Sequence, residues 1–461
     1  MSNMIKALTQ TVRGRVVTPS DPDYDEARAV YNGMHDRRPV AVVQCADAAD
    51  VMATIAAGRE SGLDLAIRGG GHSVPGFGTV DSGLVIDLAP INNIRVDPEN
   101  KVAWVGGGAT WGDVDHATYP FGLAVPAGII STTGVGGLTL GGGFGYLTRS
   151  CGFTIDNLLS ADVVLADGRQ VTANAEENED LYWALRGGGG NFGVVTNFEF
   201  RLHEAGDVVG GPMFYEFDDS TAVLKGFSEY IMEAPEQLGC FFGWQIAPEL
   251  PFIPADRVGE LFCVLVVCWN GPHEQAEGVL QPLRDIAEVK AQYVEAMPLP
   301  ALNSLFDGSV PKGMQHYWKA DYITELSDEA IAAHVQHGRN TPHVSSSMHL
   351  HAINGAAQRV GPDETAFGHR DKNFSPVIAG IWDDPAENEA NIQWVRDYYD
   401  AIHPFSGTEG GYVNFMSDDD GHRSAANYGA NYERLAAVKA KYDPDNLFHI
   451  NQNIAPARGN P

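Results

Sequence analysis

Apolar and polar positions divide the chain into three stretches of different character. In residues 1–205, short apolar runs alternate with glycine clusters. The Asp21-Pro22-Asp23 turn opens a short helix over 24–32. The run Pro39-Val40-Ala41-Val42-Val43 predicts a strand. Val51, Ile55 and Ala56 recur at helical spacing within 47–61, and Gly62 closes that helix as its C-terminal cap. A second apolar run, 63–67, predicts the next strand. Strand, helix, strand is an order that presents a loop at residues 68–73. Further on, Asp167-Gly168 marks a hairpin turn within 163–172, 180–186 reads as helix, and 198–203 as a strand. From 206 to 410 the glycine clusters thin out. Strand-like runs at 241–246, 261–267, 348–352 and 377–381 alternate with helices expected at 219–234, 273–287, 328–338 and 385–402. This pattern predicts an α+β domain with an antiparallel sheet. The remaining stretch, 411–461, holds the start of an amphipathic helix near Tyr432.

The glycines change the picture. Arg68-Gly69-Gly70-Gly71-His72-Ser73 follows directly on a strand. Glycine tolerates positive φ and close approach to a ligand, and successive N–H groups form an anion-binding concavity. A phosphate or pyrophosphate cradle with one histidine beside it is expected. No GxGxxG follows the first strand, so a nicotinamide-binding Rossmann domain is not. A second glycine-rich region runs over 105–152, centred on Ser131-Thr132-Thr133-Gly134-Val135-Gly136-Gly137-Leu138 and continuing through Gly142 and Gly145. So many glycines among Ser and Thr argue against regular helix or strand. The interspersed Ile, Val, Leu and Phe argue against a flexible linker. A backbone-lined groove for a large polyphosphate cofactor accounts for both. A third cluster, Gly187-Gly188-Gly189-Gly190-Asn191-Phe192-Gly193-Val194-Val195, follows the helix at 180–186.

Composition narrows the class. A chain of 461 residues, 44% hydrophobic, is long enough for two domains. The net charge of -30 opposes binding to nucleic acid or anionic membranes, which needs Lys and Arg. Five cysteines without CxxC spacing fit neither a disulfide framework nor a zinc site. Residues 1–16 lack an apolar signal core and no run is long enough to span a bilayer, so a cytoplasmic protein is expected.

These loops resemble those of the vanillyl-alcohol-oxidase/p-cresol-methylhydroxylase flavoprotein superfamily, in its berberine-bridge-enzyme-like branch. The resemblance rests on the 68–73 loop, Asp81-Ser82-Gly83-Leu84-Val85-Ile86-Asp87-Leu88, Arg149-Ser150-Cys151-Gly152-Phe153, the 187–196 cluster, Gly410-Gly411-Tyr412-Val413-Asn414-Phe415, and the tail from Asn427 through Asn451-Gln452-Asn453. It implies a two-domain FAD-binding fold of the p-cresol-methylhydroxylase type. The divisions are 1–205 for the FAD-binding domain, 206–410 for an antiparallel-sheet substrate domain, and 411–461 for a segment returning to the first. It further implies FAD bonded covalently to His72. FAD would be bound by Arg68, Gly69, Gly70, Gly71, Ser73, Thr132, Thr133, Gly134, Gly136, Gly137, Gly142, Gly145, Gly193, Val194, Val195, Asn414, Asn451 and Asn453. Doubly linked members carry a cysteine where this chain has Ile130, so a single link through His72 is expected; Cys151 lies elsewhere in the motif. Leu138 stands where many relatives have a histidine, and Thr133 at the position associated with oxygen access.

The chemistry expected is two-electron oxidation of a small alcohol, sugar or amine, with molecular oxygen as acceptor. A dehydrogenase using another acceptor and an inert flavin-fold binding protein are the alternatives. Such oxidation needs a base for the O–H or N–H proton. A tyrosine base needs a nearby cation to bring it down from about 10. The resemblance makes Tyr412 the first candidate; Tyr317, with Lys319 as its activating cation, is the second, and Glu409 a third. His349 and His351 share one face of a strand, but no third ligand accompanies them and no metal site is expected.

Overall fold

The computed structural model describes residues 2–458, apart from the side chains of Asp418, Asp420 and His422. A four-stranded sheet comes first, ordered Arg15–Val17, Ala41–Gln44, Leu84–Asp87, Leu65–Arg68; its last three strands are parallel. The helix Ala48–Ser61 links two of them. It starts where the Asp47 side chain accepts from the Ala49 and Asp50 N–H groups, and stops at Gly62, whose φ is +64°. Val43, Val51, Ile55, Leu65 and Ile86 close its core. The expected helix at 24–32 is shorter, Tyr24–Arg28. The 68–73 loop leaves the C-terminal end of a parallel strand, where open α/β sheets bind ligands.

A five-stranded antiparallel sheet follows: Ile94–Asp97, Val102–Gly106, Val194–Arg201, Leu158–Val164, Gln170–Asn174. Its last pair is the expected Asp-Gly hairpin, with Gly168 at φ +87°. One expectation fails here. The second glycine region does contain a regular helix, Val135–Gly141. Each glycine in a helix costs up to about 1 kcal/mol relative to alanine, but here absent side chains permit contact. A Cβ on Gly141 would lie 2.3 Å from the Asn414 amide oxygen. Val135 and Leu140 are buried in the same core as Trp111 and Phe198.

The third sheet has eight strands, all antiparallel. Seven form the path Val289–Gln292, Asp207–Glu216, Leu261–Trp269, Leu238–Ile246, Ser347–Ala352, Phe374–Trp382, Gln315–Ala320; the eighth, Glu295–Pro298, pairs with Asp207–Glu216. The helices Ser220–Glu233, Ala276–Arg284, Asp328–Gly338 and Asn388–Ile402 cover one face, burying Tyr215, Trp244, Met348, Leu350 and Ile378. The other face looks toward the glycine loops. The chain then returns to the start of the molecule: the helix Tyr432–Tyr442 packs Leu435, Ala436 and Tyr442 into the core of the five-stranded sheet. Among the described residues, no helix is long and apolar enough to cross a membrane.

Candidate active site

A cleft runs between the glycine loops and the uncovered face of the eight-stranded sheet. Gly69, Gly70, Gly71, Ser73, Thr133, Gly134, Gly136, Gly137, Gly193 and Val195 form one wall with Arg68 and His72. Gly70 and Gly134 approach backbone to backbone; a Cβ on Gly70 would lie 2.4 Å from the Gly134 nitrogen. A Cβ on Gly137 or Gly190 would meet no protein atom within 4 Å, so these two open onto free space. Arg68 pairs through Nη2 with Asp87 at 2.8 Å, both side chains buried, and its Nη1 is buried without a partner. The Arg68 guanidinium is thus a half-satisfied buried donor in the same cleft as the open glycines.

His72 is held from two sides. Its ring stacks on Tyr31, centroids 3.8 Å apart, and its Nε2 lies 3.0 Å from the Thr132 hydroxyl. Thr132 therefore orients His72 and is not itself on the wall. Burial lowers the His72 pKa to about 4, so at neutral pH the imidazole keeps a lone pair. Ile130 and Leu138 line the cleft nearby. None of the five cysteines does, and all are free thiols whose pKa burial pushes up.

Tyr412 reaches the cleft from the C-terminal segment. Its phenol oxygen accepts from the Gly143 N–H and from Asn414 Nδ2, each at 2.8 Å. Burial raises its pKa, and the two donors act in the opposite direction. Asn414 and Asn451 line the cleft with it; Asn451 donates to the carbonyls of Gly190 and Phe448.

Other expected residues lie elsewhere. Gly142 and Gly145 shape the turn after the Val135–Gly141 helix: Gly142 has φ +134°, and a Cβ on Gly145 would strike the Ala127 carbonyl. Val194 points into the core of the four-stranded sheet. Asn453 is off the wall, its amide oxygen buried without a partner. Glu409 is exposed, 3.5 Å from His403. Tyr317 and Lys319 alternate with cleft residues and face the other way. The Tyr317 hydroxyl donates to Asp419 at 2.6 Å and accepts from Arg396, and Lys319 meets the same carboxylate at 2.9 Å. Their neighbours His316 and Trp318 line the cleft instead. Sequence reasoning missed those two, as it missed Tyr31; only once the strand is known does its alternation of faces set the first pair opposite Tyr317 and Lys319. His349 and His351 share one side of their strand, as expected, and that side faces the cleft. Burial holds His316 down to about 3 and His349 to about 4.

Comparison with known proteins agrees with this geometry. A family model described as an FAD binding domain matches residues 39–174, and one described as berberine and berberine like matches 411–455. An FAD-linked oxidoreductase of Bacillus subtilis (YgaK) is 32% identical over 96% of this chain and 97% of its own. The structure of 6-hydroxy-D-nicotine oxidase from Arthrobacter nicotinovorans superimposes with a TM-score of 0.87 at 26% identity, covering 97% of this chain and 98% of that one. Glucooligosaccharide oxidase from Acremonium strictum, with its 6-S-cysteinyl, 8α-N1-histidyl FAD, gives 0.86 at 25%, covering 99% and 100%. Both ends of the cleft, the loop around His72 and the segment around Tyr412, thus fall inside matched family regions, and the chain belongs to the berberine-bridge-enzyme-like FAD-linked oxidoreductases of the vanillyl-alcohol-oxidase/p-cresol-methylhydroxylase superfamily.

Proposed function

We propose that this enzyme is an oxidase whose FAD is bonded to the protein through His72 alone, with a small organic substrate held beneath the eight-stranded sheet and molecular oxygen as electron acceptor. The observation that carries the reading is the shared cleft: a neutral, fixed His72, the open glycines, Arg68 with its unpaired Nη1, and Tyr412 all border one space. The residues fit the cofactor. Arg68 and the loops around Gly70 and Gly134 would take its phosphates. Asn451, with Asn414, would meet the flavin end.

FAD, when bound there, accepts hydride from a substrate C–H bond and passes the electron pair on to oxygen, releasing peroxide. The protein supplies the rest. Tyr412, as the phenolate, would take the substrate O–H or N–H proton at its phenol oxygen; burial works against that ionisation, and the Gly143 N–H and Asn414 amide are the donors that stabilise the charged oxygen. His72 contributes the covalent anchor. With Ile130 in the wall and no cysteine there, the second link of the glucooligosaccharide oxidase has no counterpart.

Acid precipitation of the purified protein tests this. The wild type should give a yellow pellet and a colourless supernatant, and His72→Ala a yellow supernatant. A yellow pellet from His72→Ala would refute the single link. A wild type that stays colourless after FAD is added back would refute the flavin reading itself. Peroxide release during turnover checks the acceptor.

A further inference from the structure

The part of the cleft under the eight-stranded sheet has a distinctive polarity. The chain carries 60 Asp and Glu residues, yet among the described residues no carboxylate and no lysine lines the cleft; its one permanently charged wall residue is Arg68, at the glycine loops. Its uncharged polar side chains are mostly committed to the protein. Gln245 Nε2 donates to the Ile246 and Val344 carbonyls, Ser347 to the Trp244 carbonyl at 2.6 Å, and Ser345 to that of Ser309 at 2.9 Å; Tyr31 donates to Val310.

Beyond the exposed Ser309 hydroxyl and the Gln245 amide oxygen, what remains uncommitted is small. Both ring nitrogens of His316 and the indole N–H of Trp318 are buried without partners. His349 and His351 make ring contacts, with Phe241 at 5.2 and 4.8 Å and with each other at 5.8 Å, and no hydrogen bond to a described residue. A neutral imidazole offers one donor and one acceptor. Around them the surface is aromatic: Phe415 stands edge-on to Phe144 at 5.4 Å and to Trp318 at 5.9 Å.

We propose that the substrate is an uncharged aromatic or heteroaromatic molecule with few hydrogen-bonding groups, gripped by His349 and His351 between aromatic walls, and is neither a saccharide nor an ammonium ion. This rests on the reading above that the cleft is a substrate site. A saccharide would bring several hydroxyls per ring to a surface with few free partners, and each hydroxyl left unpaired weakens binding by about tenfold. An ammonium ion would be buried with no carboxylate among the described lining residues to pair with it. The imidazoles report the same aversion to cations, since burial keeps His349 unprotonated down to about pH 4.

The test is anaerobic titration calorimetry on the purified holoenzyme with 4-methoxybenzyl alcohol, benzyltrimethylammonium and cellobiose. The alcohol should bind at least about 100-fold more tightly than either of the others, as an unpaired buried charge or several unpaired hydroxyls require. His351→Phe should weaken the alcohol about tenfold and His351→Gln much less, because Gln retains a donor and an acceptor. Melting temperature and flavin content identify any variant that fails to fold, and the wild-type panel decides the matter without them. Equal or tighter binding of the ammonium, held by its aromatic surroundings, or of cellobiose would overturn the proposal, as would no binding of the alcohol at millimolar concentration. Flavin content from the acid-precipitation experiment is a separate readout, so failure of the flavin reading is distinguishable from failure of the substrate class.

Discussion

Lys439→Met should destabilise the protein by about 3–5 kcal/mol, the usual range for removing one member of a buried ion pair. Lys439 and Asp443 are both fully buried, with Nζ 2.6 Å from Oδ2. All three ammonium protons are used, on Asp443, on the Asn191 carbonyl at 2.7 Å and on the Phe448 carbonyl at 2.9 Å. Asp443 also accepts from the Leu447 and Phe448 N–H groups, each at 2.8 Å. One cation therefore ties the last helix to the third glycine cluster and to the segment carrying Asn451. Methionine fills the same volume, but leaves a buried carboxylate without counter-charge and two carbonyls without donors. Asp443→Asn should cost a comparable amount by stranding the ammonium. The double variant should be less destabilised than the sum of the singles by more than about 1 kcal/mol, because the second change removes the charge the first left unpaired. Urea unfolding followed by tryptophan emission measures the three differences. Hydrogen exchange measures the local effect, and the Leu447 and Phe448 amides should lose protection in Lys439→Met. A Lys439→Met variant within about 0.5 kcal/mol of the wild type, as for an ordinary surface change, or with those amides still protected, would refute the reasoning.

Three further outcomes are expected. Tyr412→Phe removes the proton acceptor, so kcat should fall by about 10²–10⁴-fold while acid-stable flavin is retained; unchanged turnover would exclude Tyr412 as the base. Gly70→Ala puts a Cβ 2.4 Å from the Gly134 nitrogen, backbone against backbone, and should yield protein with little bound flavin by the ratio of visible to ultraviolet absorbance. The hydrogen bond to Asp321 raises the His403 pKa, so this pairing stabilises fully below about pH 6.5, the unfolded value, and is lost as pH rises through the higher folded value. The wild type should therefore resist urea better than His403→Gln at pH 6, with the gap closing by pH 9; a gap that widens would show the opposite linkage.

Much of the architecture was legible in the chain because local physics decided it. Asp47 and Gly62 bound one helix through cap geometry that needs no tertiary contact, and Asp167-Gly168 sets its hairpin likewise. The helix Asp328–Gly338 lies where its spacing placed it. The edge strand Gln315–Ala320 was not legible, since His316-Tyr317-Trp318-Lys319 has no apolar-polar alternation. Nor was the Val135–Gly141 helix, which is stabilised by close packing that propensity opposes.

The sequence by itself determined that glycine loops, a histidine after the first of them and a tyrosine near the C-terminus exist in the family's order, because these are properties of residue type and spacing. Only the tertiary structure decided which of them share a space. A strand gives its alternate residues to opposite faces, and nothing local says which face the helices will cover. On Gln315–Ala320 the helix-covered face took Tyr317 and Lys319 to Asp419 and left His316 and Trp318 in the cleft. The same packing drew Arg68 and His72 together with Tyr412, more than 300 residues further along the sequence, around one cleft. The lack of carboxylates among the described cleft residues of so acidic a chain is likewise a matter of placement, since composition counts charges without saying where folding will put them.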